Sequence, residues 1–513
     1  MKYRKLLYAI TIPSVLLFSC TKLDETFNGD LTQDQVGGGG SANVDALLTG
    51  IYNSMRLPYQ DQSRWWAAEE HTSDECLGPT RGGDWDDNGV WRLLHVHKWD
   101  GNHSFLASTF DDLGGVVYGA TDILQFSPST QQAAEARLLR AFANFSWLCG
   151  WNQCPYREPG GDPLAIPQVR VGSDALDYII SELNDIMGDL PDGPANKANK
   201  YAAKVLLMKC YLNKGTISPA SGDPLANRQN PTFDAADMDQ VISLADEIIN
   251  SGKYSLADNY FDNFAKNNNQ ISTENIFTAE NIGGSNSGNV RSRWFCTLHY
   301  NQNPSGWNGF TTLSDFYDKF DDADLRRSQE YDGVTDVSGI KPGFLVGQQY
   351  DQNGTALKDR TGAPLAFTRE VSAIERGANL EVTGIRVVKY PIDYSSGDNS
   401  DNDYVYYRYA DVLLMKAEAL LRKGDAGGAL TLVNQVREKR GVAALGSVSL
   451  DQMLDERGRE FYWEGHRRTD LIRFGKYLEV WQEKPSDDPK NLLFPIPFRQ
   501  LAANPNLIQN PGY

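Results

Sequence analysis

Cysteine is scarce in this chain, with 6 in 513 residues. The five beyond Cys20 (Cys76, Cys149, Cys154, Cys210 and Cys296) are an odd set without metal-type spacing. That excludes a disulfide framework, although Cys149 and Cys154 stand near enough for one local bridge. Cys149 and Cys210 fall inside apolar helical patterns, where buried thiols are common. Positive charge is also short: 49 Lys and Arg against 67 Asp and Glu leave a formal charge of −18. Such a balance argues against nucleic acid and against clinging to anionic lipid. No apolar stretch reaches the about 20 residues that a membrane-spanning helix requires. Nucleophile elbow, zinc motif and phosphate loop are all missing. His95-x-His97 alternates on one face of an expected strand, with no third ligand in view. The run from Asp398 to Asp403 has calcium-friendly oxygens but lacks the glycine and closing glutamate of a calcium loop, so a solvated turn is expected. No metal or other cofactor is expected.

What the N-terminus does have is the pattern of an export signal. Lys2, Arg4 and Lys5 precede an apolar run from Leu6 to Phe18, and Leu17-Phe18-Ser19 leads into Cys20. The arrangement resembles a bacterial lipoprotein signal, with residues 1–19 removed and Cys20 acylated as the first mature residue. Each buried methylene contributes about 0.8 kcal/mol, so several acyl chains make a durable anchor. Residues 20–41, with glycines 37 to 40, suit a flexible lipid-anchored leader. The alternative is a plain secretory signal with a chance cysteine.

Beyond residue 42 the periodicity is largely helical. Apolar residues at helical spacing run from about Val44 to Met55, and again after Ser129 as Ala134, Leu138, Ala141, Phe142, Phe145 and Leu148. Another segment carries Ile179, Ile180, Leu183 and Ile186 before Pro191. Residues 201–214 pair with 235–250, and 405–423, 425–440 and 450–482 make the last group. The run Ala203 to Lys209 (AKVLLMK) returns as Ala410 to Lys416 (ADVLLMK), each copy leading to a Lys-Gly stop and a second amphipathic helix. Helix, Gly turn and helix with Ala at the crossings is the physics of tetratricopeptide packing. Residues 74–103 and about 253–400 differ, being rich in Asn, Gly, Asp and aromatics. Asn353-Gly354 and Thr361-Gly362 predict a small β-hairpin region there. The expected fold class is therefore mainly α: tetratricopeptide-like helix pairs in one large domain, 42–513, with loop-rich excursions. Its N-terminal half is about 42–252 and its C-terminal part about 253–513.

From Tyr404 onward the chain resembles the SusD/RagB family of surface nutrient-binding lipoproteins. The resemblance rests on Tyr406-Tyr407-Arg408-Tyr409-Ala410-Asp411-Val412-Leu413-Leu414-Met415-Lys416, on Glu456-Arg457-Gly458-Arg459-Glu460-Phe461, on Glu464-Gly465-His466-Arg467-Arg468, and on the ending Asn504-Pro505-Asn506-Leu507 to Tyr513. Glu135 to Ala141 and Ile179 to Pro191 are similar to family segments further upstream. The resemblance implies a non-enzymatic lipoprotein that captures oligosaccharide, less often peptide, and passes it to a SusC-like TonB-dependent outer-membrane transporter. It also implies that Lys22-Leu23-Asp24-Glu25 sends the protein to the outer face of the outer membrane.

Sugar rings present flat C–H faces flanked by hydroxyls, so a site for them needs aromatic platforms with fixed donors and acceptors. The first excursion offers Asp74, Arg81, Asp84, Trp85, Asp86, Trp99 and Asn102; the second offers Trp294, Cys296, Tyr300, Trp307, Arg369 and Tyr394. Each loop tryptophan has a competing reading as a core plug. A glycosidase working through Asp84 and Asp86 is the rival class. The charged run Glu456 to Arg473 reads as scaffold ion pairs on a helix capped by Ser449 and Gln452. Acidic loops disfavour uronate-rich or sulfated chains, leaving neutral oligosaccharide or polysaccharide as the expected ligand.

Overall fold

The structure, a computed structural model, describes residues 43–285 and 288–513. The signal, Cys20 and the leader lie outside the described residues. Eight longer helices carry the scaffold: α1 (Val44–Ser54), α2 (Ser104–Asp122), α3 (Thr130–Trp151), α4 (Gly172–Ile186), α5 (Lys200–Asn213), α6 (Ala235–Asn250), α7 (Tyr409–Arg422) and α8 (Ala426–Lys439). Two more, α9 (Leu450–Phe461) and α10 (Arg467–Arg473), follow them. Several start at a capping side chain. Ser129 and Gln132 form a capping box on α3, and the Asn199 side chain accepts from the Tyr201 and Ala202 amides at the start of α5.

Successive helices pack side by side, α2 on α3, α3 on α4, α5 on α6 and α7 on α8. The sequence echo has a structural meaning: α6 lies against both copies, α5 and α7. Lys209 on one copy and Asp411 on the other close an ion pair of 2.7 Å. Ala203, Ala245, Ala410, Ala417 and Ala429 are fully buried, which lets the helix axes approach closely. Gly424, at φ +90°, makes the left-handed turn that ends α7, and Asp425 then caps α8.

The second excursion leaves the stack after α6 and returns at α7. Its ends are fastened by β4 (Asn275–Ala279) paired antiparallel with β10 (Tyr404–Arg408). The hairpin region is present: β6 (Gly347–Gln348) pairs with β7 (Ala366–Phe367), and Gly354 and Gly362 turn at positive φ between further rungs. Across the excursions, β1 (Thr80–Arg81) runs parallel to β8 (Ile374–Glu375), and β5 (Gly343–Leu345) pairs with β9 (Arg386–Val388). β2 (Gln153–Tyr156) and β3 (Gln168–Val171) form a separate hairpin.

Three expectations need correction. The charged run from Glu456 to Arg473 is two helices, because Trp463 (φ +61°) and Gly465 break the path and turn Glu464 into the interior. His95 ends a short helix, where a strand was expected, and both His95 and His97 are buried. The turn at 398–403 is not solvated throughout: Asn402 and Asp403 are buried and bonded to neighbouring backbone. All five described cysteines are free and buried.

The interior between α9, β10 and β4 is ionic. Arg408 holds Glu460 at 2.6 Å and Glu464 at 2.8 Å, and Arg440 holds Glu274 at 2.6 Å and Glu460 at 2.8 Å. Arg326 bridges Asp324 and Glu456, each at 2.7 Å. Burial alone would raise the Glu456 carboxyl, but the Arg326 and Arg459 guanidiniums outweigh it and hold it at about 2. These pairs lock the returning strand to the last helices. Breaking one by removing a partner costs about 3–5 kcal/mol.

Candidate functional site

The two excursions meet at the Arg81 side chain. Its buried guanidinium donates to the carbonyls of Leu380 at 2.7 Å and Thr383 at 2.9 Å, and to the Thr383 hydroxyl. Arg81 is therefore a clasp between loops and does not point outward. Arg81 to Asp84 make a tight turn, with the two end residues exchanging backbone hydrogen bonds of 2.9 and 3.0 Å. Trp85 follows at φ +60°, a costly conformation for a bulky residue. The reward is visible in where its ring goes.

The indole of Trp85 lies half-buried against Phe310 (4.9 Å between centroids), Trp91 (5.6 Å) and Trp307 (6.2 Å). Its Nε1 donates to the Trp307 carbonyl at 2.9 Å, tying the two tryptophan loops together. Gly309 is required beneath it, since a Cβ there would come within 2.3 Å of the indole. Trp307 packs edge-on against Phe295 and leaves 45% of its surface exposed. Tyr300, from the same loop, donates its hydroxyl to Asp84 Oδ2 at 3.2 Å.

Sequence reasoning missed the residues that brace this rim. The Arg360 guanidinium lies 3.9 Å over the Tyr300 ring and donates to Glu381 at 2.6 Å. His299 bonds the other Glu381 oxygen at 2.9 Å. Burial would raise the Glu381 carboxyl, yet the His299 and Arg360 bonds bring it below the usual range. Only the Thr361-Gly362 turn beside Arg360 marked this segment in the sequence. Trp85, Trp307 and Tyr300 thus form an aromatic rim, edged by Asp84, Arg360 and Glu381. The arrangement offers apolar faces next to charged and hydroxyl groups, the combination that receives a hydroxylated ring.

Other candidates go elsewhere. Asp74 is buried in a two-pronged ion pair with Arg467 (2.6 and 2.8 Å), and Trp294 and Cys296 lie in the core, closed to any ligand. Trp99 is core too, packed edge-on against Phe494 with its indole N–H donating to the Tyr513 hydroxyl at 2.7 Å. Asn102, exposed beside it, lines a separate groove with Lys98 and Asp488. Asp86 is taken by Arg92 at 2.6 Å, so Asp84 and Asp86 are not an acid pair facing one cleft bond. Arg369 is exposed and paired with Asp318. Tyr394 lines another groove, on the second excursion, with its hydroxyl bonded to the Asn303 carbonyl at 2.9 Å.

The SusD family model matches residues 245–513, more than half of the chain. The chain belongs to the SusD family. A curated member of this family, the starch-binding protein SusD of Bacteroides thetaiotaomicron, is 24% identical over the whole chain and 99% of its own length. A laminarin-binding SusD-like protein of known structure superposes with a TM-score of 0.71 over 92% of this chain and 99% of its own, at 21% identity. Surface glycan-binding protein A from Bacteroides thetaiotaomicron, solved with laminarihexaose, gives 0.63 over 91% and 98% at 18% identity. At these identities the structural likeness establishes the SusD fold, and all three relatives are named for binding.

Proposed function

We propose that this SusD-family protein is a cell-surface lipoprotein that captures neutral oligosaccharide on the Trp85–Trp307–Tyr300 rim and delivers it to a TonB-dependent transporter. The observation that carries the reading is the placement of Trp307. It is the large aromatic left open at the junction of both excursions, while Trp99 and Trp294 close into the core. Binding without turnover is supported by the relatives, which are named for binding, and the carboxylates near the rim serve Tyr300, Arg92, Arg360 and His299 as partners. The names of the relatives, which bind starch and laminarin, support a neutral glucan first.

Isothermal titration of the purified protein against starch, laminarin, fructan and xylan oligosaccharides and a peptide digest tests the cargo. Heat with one glycan class, lost in Trp307→Ala, supports the rim; heat with peptides alone moves the protein to peptide capture. The anchor is tested separately, since Cys20→Ala would release an acylated protein from the membrane fraction. Co-purification of a large outer-membrane transporter with the tagged protein tests delivery.

A further inference from the structure

The second excursion carries an open groove of about 670 Å³, joined to the loop of the aromatic rim through Tyr394. Two half-buried rings, Tyr331 and Tyr394, line it, together with the exposed side chains of Ile271 and Val337. Each tyrosine is held by its hydroxyl, Tyr331 to Asp262 at 2.9 Å and Tyr394 to the Asn303 carbonyl at 2.9 Å. Their rings are thereby fixed before any ligand arrives, which lowers the ordering cost of binding. Tyr394 is the link. Its ring borders the groove, and its hydroxyl grips the loop that carries Tyr300 and Trp307. Asn303 precedes Trp307 by four residues, so the chain between them spans at most about 14 Å.

We propose that this groove is a second stretch of the glycan site, continuous with the Trp85–Trp307–Tyr300 rim, so that the protein reads an extended neutral polysaccharide along its surface. The inference rests on the glycan-binding reading above. Its chemistry repeats that of the rim: fixed aromatic rings and exposed apolar side chains, with Asp262, Lys266 and Ser395 at hand for hydroxyls. One chain engaging both stretches gains affinity through high effective concentration, without any new contact at the rim.

The test is titration with maltooligosaccharides and laminarioligosaccharides, from disaccharide to long oligomer, and with starch and laminarin. Wild type, Tyr331→Ala and Val337→Arg are compared, with circular dichroism confirming the fold. Val337 is exposed, so its arginine variant obstructs the groove without touching the core. The expected result is that long chains bind at least about tenfold more tightly than the shortest binder, a gap of about 1.4 kcal/mol. Both variants should erase that gap and leave short-chain affinity unchanged. Length-independent affinity, or a gap that survives Val337→Arg, overturns the groove while leaving the rim intact. Silence towards every glycan, or full affinity in Trp307→Ala, overturns the rim and the groove together.

Discussion

The helical stack and the loop excursions use opposite chemistry to reach order. In the stack, arginines are sunk in the interior and matched with carboxylates, as Arg408 is with Glu460 and Glu464. In the excursions the outer positions go to aromatic rings, two arginines, Arg81 and Arg360, serve as clasps behind them, and Arg326 reaches back into the ion pairs of the stack. The difference teaches that a charged motif in this fold marks scaffold, whereas an aromatic loop marks surface chemistry. A buried ion pair has to be satisfied on all sides, so it tolerates little change. A ring on a rim need only be held at one edge.

That contrast is best broken from the scaffold side. Arg408→Ala removes the guanidinium shared by Glu460 and Glu464, leaving them only Arg440 and Arg326, and Lys389, respectively, and should cost up to about 3–5 kcal/mol, read as a fall in the denaturation midpoint. On the loop side, Trp307→Ala and Gly309→Ala should each weaken glycan binding at least about tenfold with the melting temperature little changed for the former. Gly309→Ala acts through geometry, because the added Cβ collides with the Trp85 indole.

The pH response separates the regions further. The Glu456 carboxyl sits at about 2 in the fold, below its ordinary 4.5. Its ion-pair stabilisation is present above pH 4.5 and is lost as pH falls towards 2. Glu456→Gln should therefore melt with a shallower acid slope than wild type over that window, in thermal scans taken at several pH values. The smallest effect is expected for Arg369→Ala. Its exposed pair with Asp318 is a surface salt bridge, worth about 0–1 kcal/mol, and stands apart from the rim, so titration should show unchanged affinity.

The fold was largely legible because its signals are local and repeated. The AKVLLMK and ADVLLMK copies, the Lys-Gly stops and the capping boxes each state a helix end or face in a few residues. The break at Trp463 was not legible, since its cause is the distant Arg408 that draws Glu464 inward. The candidate site was readable only as a set of loop aromatics. Trp85 and Trp99 stand in similar Asp- and Gly-rich surroundings, and nothing local distinguishes them. One meets Trp307 at the surface and the other meets Phe494 and Tyr513 in the core, and those partners lie more than two hundred residues away in sequence. The bracing trio of His299, Arg360 and Glu381 was invisible for the same reason.

The antiparallel rung between Tyr404 and Ala279 makes everything from 280 to 403 a closed loop in the polymer sense. The entropy of closing such a loop grows only with the logarithm of its length, so even doubling it costs about 0.6 kcal/mol. Hairpin tips such as 351–355 and 359–363, each closed by its own backbone bonds, can therefore gain or lose residues at almost no expense to the stack. A fold built this way can be re-fitted to a new ligand by changing the length of its tips, with every helix left in register.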